Sequence, residues 1–331
     1  MPSSKCTSVS CEDPLGLYRK QKYNSSLSST YHANGSFSSI IWAEIQYNGF
    51  ISEDTVRLGD LSIPNQVFEE FTDAYAVSIL AWRTGYDGAM GLSPPWASYN
   101  GIPSLFGSLV SRGLLDQPIF SLKLPNSVSN RGDLLFGGID PDLFLGEITT
   151  LPLVHPEYPP LSNTWAVSIE SITFDTQVPL HFDMPSGSVA VLDTGWPWIS
   201  LPHEIFFNVT AAVGARLFQG FVYSIPCERR QELPTMTFTL AGQNFSISAF
   251  DYTLEIDMPW LQPEPGTLCV LGLMDSDAFT VPNDTLIFSS PFLRGFYSVF
   301  DAGKREVGCK STLGDHHRMH HVNVQPVAKP K

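Results

Sequence analysis

Short apolar runs cut by turn residues are the feature that most restricts this chain. The sequence predicts one apolar, aromatic-rich strand over 37–46 and an alternating strand over 53–58 that ends at the turn Gly59-Asp60. Strands are also expected over 119–124 and 134–136, the second stopped by Gly137-Gly138. Residues 236–240 and 245–248 flank Gly242-Gln243 as the arms of a hairpin would, and 297–300 is a further apolar strand. The run Val189-Ala190-Val191-Leu192 is apolar throughout and ends at Asp193. That is the pattern of a buried strand delivering a polar residue at its tip. Helical spacing is confined to 104–111, with Gly113 as a stop, and to 203–217, where Pro202 precedes Ile205, Phe206, Val209, Ala212 and Val213. With 25 glycines and 26 prolines punctuating the strands, the expectation is a mostly β fold.

A chain of 331 residues is too long for one small core and suits two lobes. No apolar stretch reaches the roughly 18 residues that a spanning helix needs. The formal charge is −14 and the basic residues are scattered, which excludes an electrostatic nucleic-acid binder. Such acidity suits an acidic compartment, where protonation relieves self-repulsion, and equally keeps a secreted protein in solution. Of the five cysteines, Cys6 and Cys11 close a short loop if they pair, and pairing Cys227 with Cys269 would staple a longer one. Cys309 is then left over, and an inert buried thiol is the expectation for it. Acceptor sequences for N-glycosylation occur at Asn24, Asn34, Asn208, Asn244 and Asn283, spread through both halves, which favours a secretory route. The opening Met1-Pro2-Ser3-Ser4-Lys5 carries no apolar core, so no signal peptide is read there. From about Ser311 the chain is polar and His-rich, and residues 313–331 are expected to be a disordered tail.

A weak internal repeat is visible. Gly88-Ala89-Met90-Gly91-Leu92 precedes the first helical pattern, and Leu286-Ile287-Phe288-Ser289-Ser290 precedes Pro291-Phe292-Leu293-Arg294. Each is expected to be a buried strand running into a helical turn. Ser289 lies 96 residues after Asp193, so a counterpart of Asp193 in the first half would fall at or before the first residue.

Asp193-Thr194-Gly195 is the candidate catalytic motif. The strand before it would fix the carboxylate, Thr194 would brace the loop with its hydroxyl, and Gly195 would let a backbone amide approach closely. Two such loops face to face hold two carboxylates about 3 Å apart sharing one proton, so that one accepts a proton from water while the other donates to a peptide carbonyl.

The chain resembles the pepsin-like aspartic proteases well beyond this motif. Pro2-Ser3-Ser4-Lys5-Cys6 with Cys11 is similar to the segment after that family's first Asp-Thr-Gly-Ser. Ser28-Ser29-Thr30-Tyr31, Asp54-Thr55-Val56-Arg57-Leu58-Gly59, Tyr86-Asp87-Gly88-Ala89-Met90-Gly91-Leu92 and Phe136-Gly137-Gly138-Ile139-Asp140 each resemble a family stretch. So do Trp165–Ile172, as the strand opening the second lobe, and Val299-Phe300-Asp301. The resemblance runs from about Pro2 to Lys310. It implies a bilobal fold with a first lobe over 1–150 lacking its catalytic strand, and a second lobe over 151–312. It also implies an extended peptide or protein substrate in the interlobe cleft, no cofactor, no metal, a monomer, and a secreted or vacuolar destination.

The departures from the family gather at the active site. Only Asp193 of the expected pair is present. Trp196 stands where the family has Ser or Thr, and an indole only donates. Trp42 takes the place of the flap tyrosine, followed by Ala43-Glu44-Ile45 in place of a glycine-rich turn. Ser289-Ser290 replaces Gly-Asp. The resemblance thus implies an aspartic endopeptidase that is inactive as the chain stands; the alternative is a degenerate relative that binds peptides without cleaving them. Arg131-Gly132-Asp133 spells an adhesion tripeptide but reads as a turn entering a strand. His316, His317, His320 and His321 have paired spacing on a tail with no scaffold to hold a metal.

Overall fold

The computed structural model describes residues 1–8, 11, 21–42, 45–76, 87–99, 101–125, 131–156, 161, 163–220, 222–256, 268–279 and 281–311. The expected disordered tail, Tyr86, Ala43, Glu44 and the side chain of Trp42 lie outside them. The fold is mostly β, in agreement with the punctuated pattern of the sequence. Among the described residues no helix is long and apolar enough to cross a membrane.

The chain divides into two compact units, Met1–Asp116 and Gln117–Lys331. The first is built on a three-stranded antiparallel sheet of His32–Trp42, Ile45–Leu58 and Leu61–Ala76. The run 37–46, expected as one strand, is in fact parts of two, because His32–Trp42 ends at Trp42, which pairs antiparallel with Ile45 at the start of the next strand. Composition cannot reveal such a boundary when both strands are apolar. Cys6, Cys11, Ile45, Tyr47, Phe71 and Ala74 form a core cluster, closed by the Cys6–Cys11 disulfide.

Two buried carboxylates tie the leading segment to this sheet. Ser3 Oγ donates to Glu70 Oε1 at 2.5 Å and Ser52 Oγ to Glu70 Oε2 at 2.9 Å. Asp54 accepts from Tyr23 Oη at 2.5 Å, Ser28 Oγ at 2.9 Å, Thr30 Oγ1 at 2.5 Å and the amide of Thr55 at 2.7 Å. Burial alone would raise the Asp54 pKa, but the bonds from Thr30, Tyr23, Ser28 and Thr55 outweigh it and hold the group at about 2. The sequence stretches Ser28–Tyr31 and Asp54–Gly59 are therefore the two halves of one polar hub.

The helix expected over 104–111 spans Leu105–Ser111, capped by Ser104, whose Oγ accepts from the Gly107 amide at 2.9 Å. Gly88–Gly91, expected as a buried strand, is exposed and irregular instead. No neighbouring strand hydrogen-bonds to it among the described residues, and an apolar stretch without a ladder partner leaves its amides to water.

The second unit holds the larger sheets. One runs in the order Gln243–Ile247, Met236–Leu240, Ala166–Phe174, Val189–Leu192 and Thr285–Phe288, with Leu180–Asp183 paired to Ala166–Phe174. Another runs Asp133–Phe136, Ile119–Lys123, Phe296–Asp301, Glu306–Ser311 and Thr149–Pro152. The segment 119–152 thus hydrogen-bonds to 296–311, across the position near 150 where the sequence suggests a lobe boundary. A third sheet carries the Cys227–Cys269 disulfide, which joins the end of Val222–Pro226 to Leu268–Leu271. Cys309 is a buried free thiol whose pKa burial pushes up to about 12, as expected of an inert cysteine.

The helix expected over 203–217 stops at Ala212. Gly214 adopts φ +64°, the Gly214 amide donates to Ala211 O at 3.1 Å, and the Ala215 amide donates to Thr210 O at 2.9 Å. This C-terminal cap turns the chain into the strand Arg216–Gln219, so the apolar residue Leu217 belongs to a sheet. The 236–247 hairpin turns on Ala241-Gly242, both at positive φ, with Leu240 opposite Gln243.

Candidate active site

Asp193 emerges from a fully buried strand of its sheet. All four residues of Val189–Leu192 are buried, in parallel register with Thr285–Phe288 and antiparallel to Ala166–Phe174. The strand is held to its last residue, since the Leu192 amide donates to Trp165 O at 2.8 Å and the Asp193 amide to Phe288 O at 2.9 Å. Beneath that contact Phe288 packs against Phe238 and Phe292, with ring centroids 4.5 Å away in each case. Asp193 is therefore anchored through its backbone to a rigid aromatic layer.

Past the strand the loop folds back on the carboxylate. The Gly195 amide donates to Asp193 Oδ1 at 2.8 Å, the close approach the motif suggests. The Trp196 amide donates to Asp193 O at 3.4 Å and closes the turn. Burial raises the Asp193 pKa above the ordinary carboxylate value, and the Gly195 bond offsets part of that rise. The residue is nonetheless exposed to solvent at the loop, which screens the effect. No second carboxylate contributes to the shift among the described residues.

The expected brace from Thr194 is not made: the residue is exposed and its hydroxyl forms no hydrogen bond among the described residues. Trp196 is half-buried, with its Nε1 atom enclosed, and Pro197 follows it, exposed. At 196–197 the loop thus offers the carboxylate no hydroxyl. Ser289 is fully buried directly after Phe288, and its Oγ has no hydrogen-bond partner among the described residues. A glycine there would leave no such orphan.

One brace was not legible in the sequence. Ser200 is buried, and its Oγ accepts the Ile287 amide at 2.6 Å. It ties the strand after the loop, Ile199–Leu201, to the strand beside Asp193. Only the crossing of these two strands makes a serine in an apolar run significant. Trp42 ends its strand opposite Ile45, at the tip of the long hairpin where the flap is expected.

The five glycosylation acceptors differ in their surroundings. Asn24 accepts from the Ser26 amide and hydroxyl at 3.1 and 2.7 Å, and Asn34 from those of Ser36 at 3.3 and 2.5 Å. Asn244 and Asn283 are exposed, and Asn244 accepts from Thr239 Oγ1 at 3.0 Å. Asn208 instead uses its amide nitrogen within its helix, donating to Glu204 O at 2.8 Å.

Known proteins carry the same pattern over nearly the whole chain. Residues 1–312 match the sequence profile of the eukaryotic aspartyl proteases. Vacuolar protease A of Aspergillus fumigatus is 34% identical over 312 residues, covering 93% of this chain and 71% of its own. The vacuolar aspartic protease of Candida albicans is 33% identical, covering 94% and 69%. Cathepsin D of Clupea harengus is 29% identical, covering 94% and 74%. The strand-borne Asp-Thr-Gly, the two disulfides and this match along the chain have one common explanation: the protein belongs to the eukaryotic aspartyl protease family.

Proposed function

We propose that this protein is an aspartic-type endopeptidase by descent, with Asp193 as one of the two carboxylates that activate water against a peptide bond. The observation that carries this is the anchoring of Asp193. Its backbone is bonded to Phe288 O, its carboxylate accepts the Gly195 amide, and burial raises its pKa above the ordinary carboxylate value. Paired with a second carboxylate, such a group exchanges one proton between water and the peptide carbonyl. Residues 1–331 contain no second Asp-Thr-Gly, so on this reading these residues alone hold half of the dyad. Residues 1–150 and 151–312 would correspond to its two lobes, binding one extended peptide per monomer, and Trp42 would act at the flap. The relatives named for vacuoles, together with two disulfides and the exposed glycosylation acceptors, support a secreted or vacuolar destination.

A second reading is favoured by the loop itself. Trp196-Pro197 places bulk where a small hydroxyl would support the carboxylate, and Ser289 is an unsatisfied buried hydroxyl behind it. These changes suit a relative that retains peptide binding and has lost cleavage.

Incubation of a full-length form that supplies a second Asp-Thr-Gly beside Asp193 with a fluorogenic peptide library between pH 3 and 6 separates the two. Cleavage that Asp193→Asn abolishes establishes the protease. Binding of the same peptides without cleavage establishes the second reading. Cleavage untouched by Asp193→Asn would sink the assignment of Asp193.

A further inference from the structure

We propose that His203, Asp275 and Asp277 form a binding site for a divalent transition-metal cation of the zinc class. The site is independent of the proteolytic reading, since none of its residues belongs to the Asp193 loop.

Chain topology assembles it. Ile199–Leu201 pairs in parallel with Leu273–Asp275, which sets Leu201 opposite Asp275. Pro202 then opens a helix whose first residue is His203, and a 3-10 turn over Ser276–Phe279 carries Asp277 back toward the same point. His203 Nδ1 lies 2.8 Å from Asp275 Oδ2 and 3.7 Å from Asp277 Oδ2. The three donor atoms all fall within 4.8 Å of one another. Tetrahedral zinc with bonds of ~2.0–2.1 Å holds its ligand atoms about 3.3 Å apart, between the two distances from His203 Nδ1.

The donors are also oriented. Asp277's amide donates to Asp275 Oδ1 at 3.1 Å, which leaves Oδ2 facing the imidazole. The His203 ring packs on Phe207 one helical turn away, with centroids 4.7 Å apart. His203 and Asp277 remain open, with side chains 58% and 55% exposed, so water or a further ligand can complete the shell.

Charge and donor type select the ion. Two carboxylates outweigh the roughly half positive charge of a helix N-terminus. No Lys or Arg forms an ion pair with Asp275 or Asp277 among the described residues. One imidazole with two carboxylates suits zinc and its first-row neighbours, whereas calcium and magnesium prefer all-oxygen shells. The competing occupant is a proton on Nδ1, which makes the 2.8 Å contact between His203 and Asp275 a hydrogen bond.

The test is calorimetric titration with zinc chloride at pH 7. It uses the full chain carrying His316→Ala, His317→Ala, His320→Ala and His321→Ala, so that the tail cannot bind. One saturable equivalent is expected, with calcium chloride giving none. His203→Ala and, separately, Asp277→Asn should each weaken zinc binding by about 10–100-fold. Both residues are exposed, and an unchanged circular dichroism spectrum checks that the variants fold. Absence of saturable binding, or binding indifferent to His203→Ala and Asp277→Asn, would overturn the proposal.

Discussion

Replacing Asp54 by Asn should remove a pH-dependent part of the stability of the Met1–Asp116 unit. The folded carboxyl titrates at about 2 against an ordinary 3.8. At about 1.4 kcal/mol per tenfold change in proton affinity, that is at most about 2.5 kcal/mol of stabilisation, of which solvent screening removes a part. A depressed carboxyl contributes fully above the unfolded value and loses its contribution as pH falls through the folded one. The window is therefore about pH 4 down to about pH 2. Asn keeps one acceptor for the Ser28, Thr30 and Thr55 donors but turns an N–H₂ toward Tyr23, whose hydroxyl then has to accept. Urea unfolding followed by tryptophan fluorescence, repeated at steps from pH 7 to pH 2, should show the gap between wild type and Asp54→Asn widest above pH 4. That gap should narrow by about 2 kcal/mol toward pH 2. Two parallel stability curves would refute the argument, because the hub would then act through packing alone.

Three further outcomes follow from the structure. Ser289→Ala removes a fully buried hydroxyl without a partner among the described residues, and chemical denaturation should show a gain of about 1 kcal/mol; a loss would mean that the hydroxyl is satisfied. The Cys227→Ser, Cys269→Ser double variant opens a loop spanning a sequence separation of 42 and should cost about 4 kcal/mol, read as a lowered denaturation midpoint under non-reducing conditions. Asp193→Asn removes a carboxylate whose raised pKa penalises the folded state above its ordinary value of 3.8, so differential scanning fluorimetry should show a small rise in Tm at pH 7 that vanishes by pH 3.

Much of the architecture was legible from local chemistry. Val189–Leu192 is apolar because both faces of that strand are covered, and the helix from Leu105 is announced by Ser104 before it and Gly113 after it. Where the reading failed, a local pattern admitted two outcomes. The 37–46 run looks like one strand because both strands that meet there are apolar and their composition does not mark the boundary. The apolar spacing through Leu217 looks helical because one glycine in left-handed backbone decides where the helix ends. Gly88–Leu92 looks like a strand because a sequence does not show whether a ladder partner is at hand.

For the candidate active site, the sequence by itself determined the identity and order of the groups: an apolar strand, then Asp193-Thr194-Gly195, then Trp196. Tertiary structure decided what those groups touch. It turned the Gly195 amide onto Asp193, left Thr194 in solvent, bound Asp193 to Phe288, and used Ser200 to join two strands. It also drew His203 to Asp275 and Asp277, far along the chain, through a single pair of parallel strands. The physical reason is the range of the interactions. Periodicity and turn chemistry act between residues a few positions apart, whereas a hydrogen bond or a ligand set is fixed only when distant strands come into register.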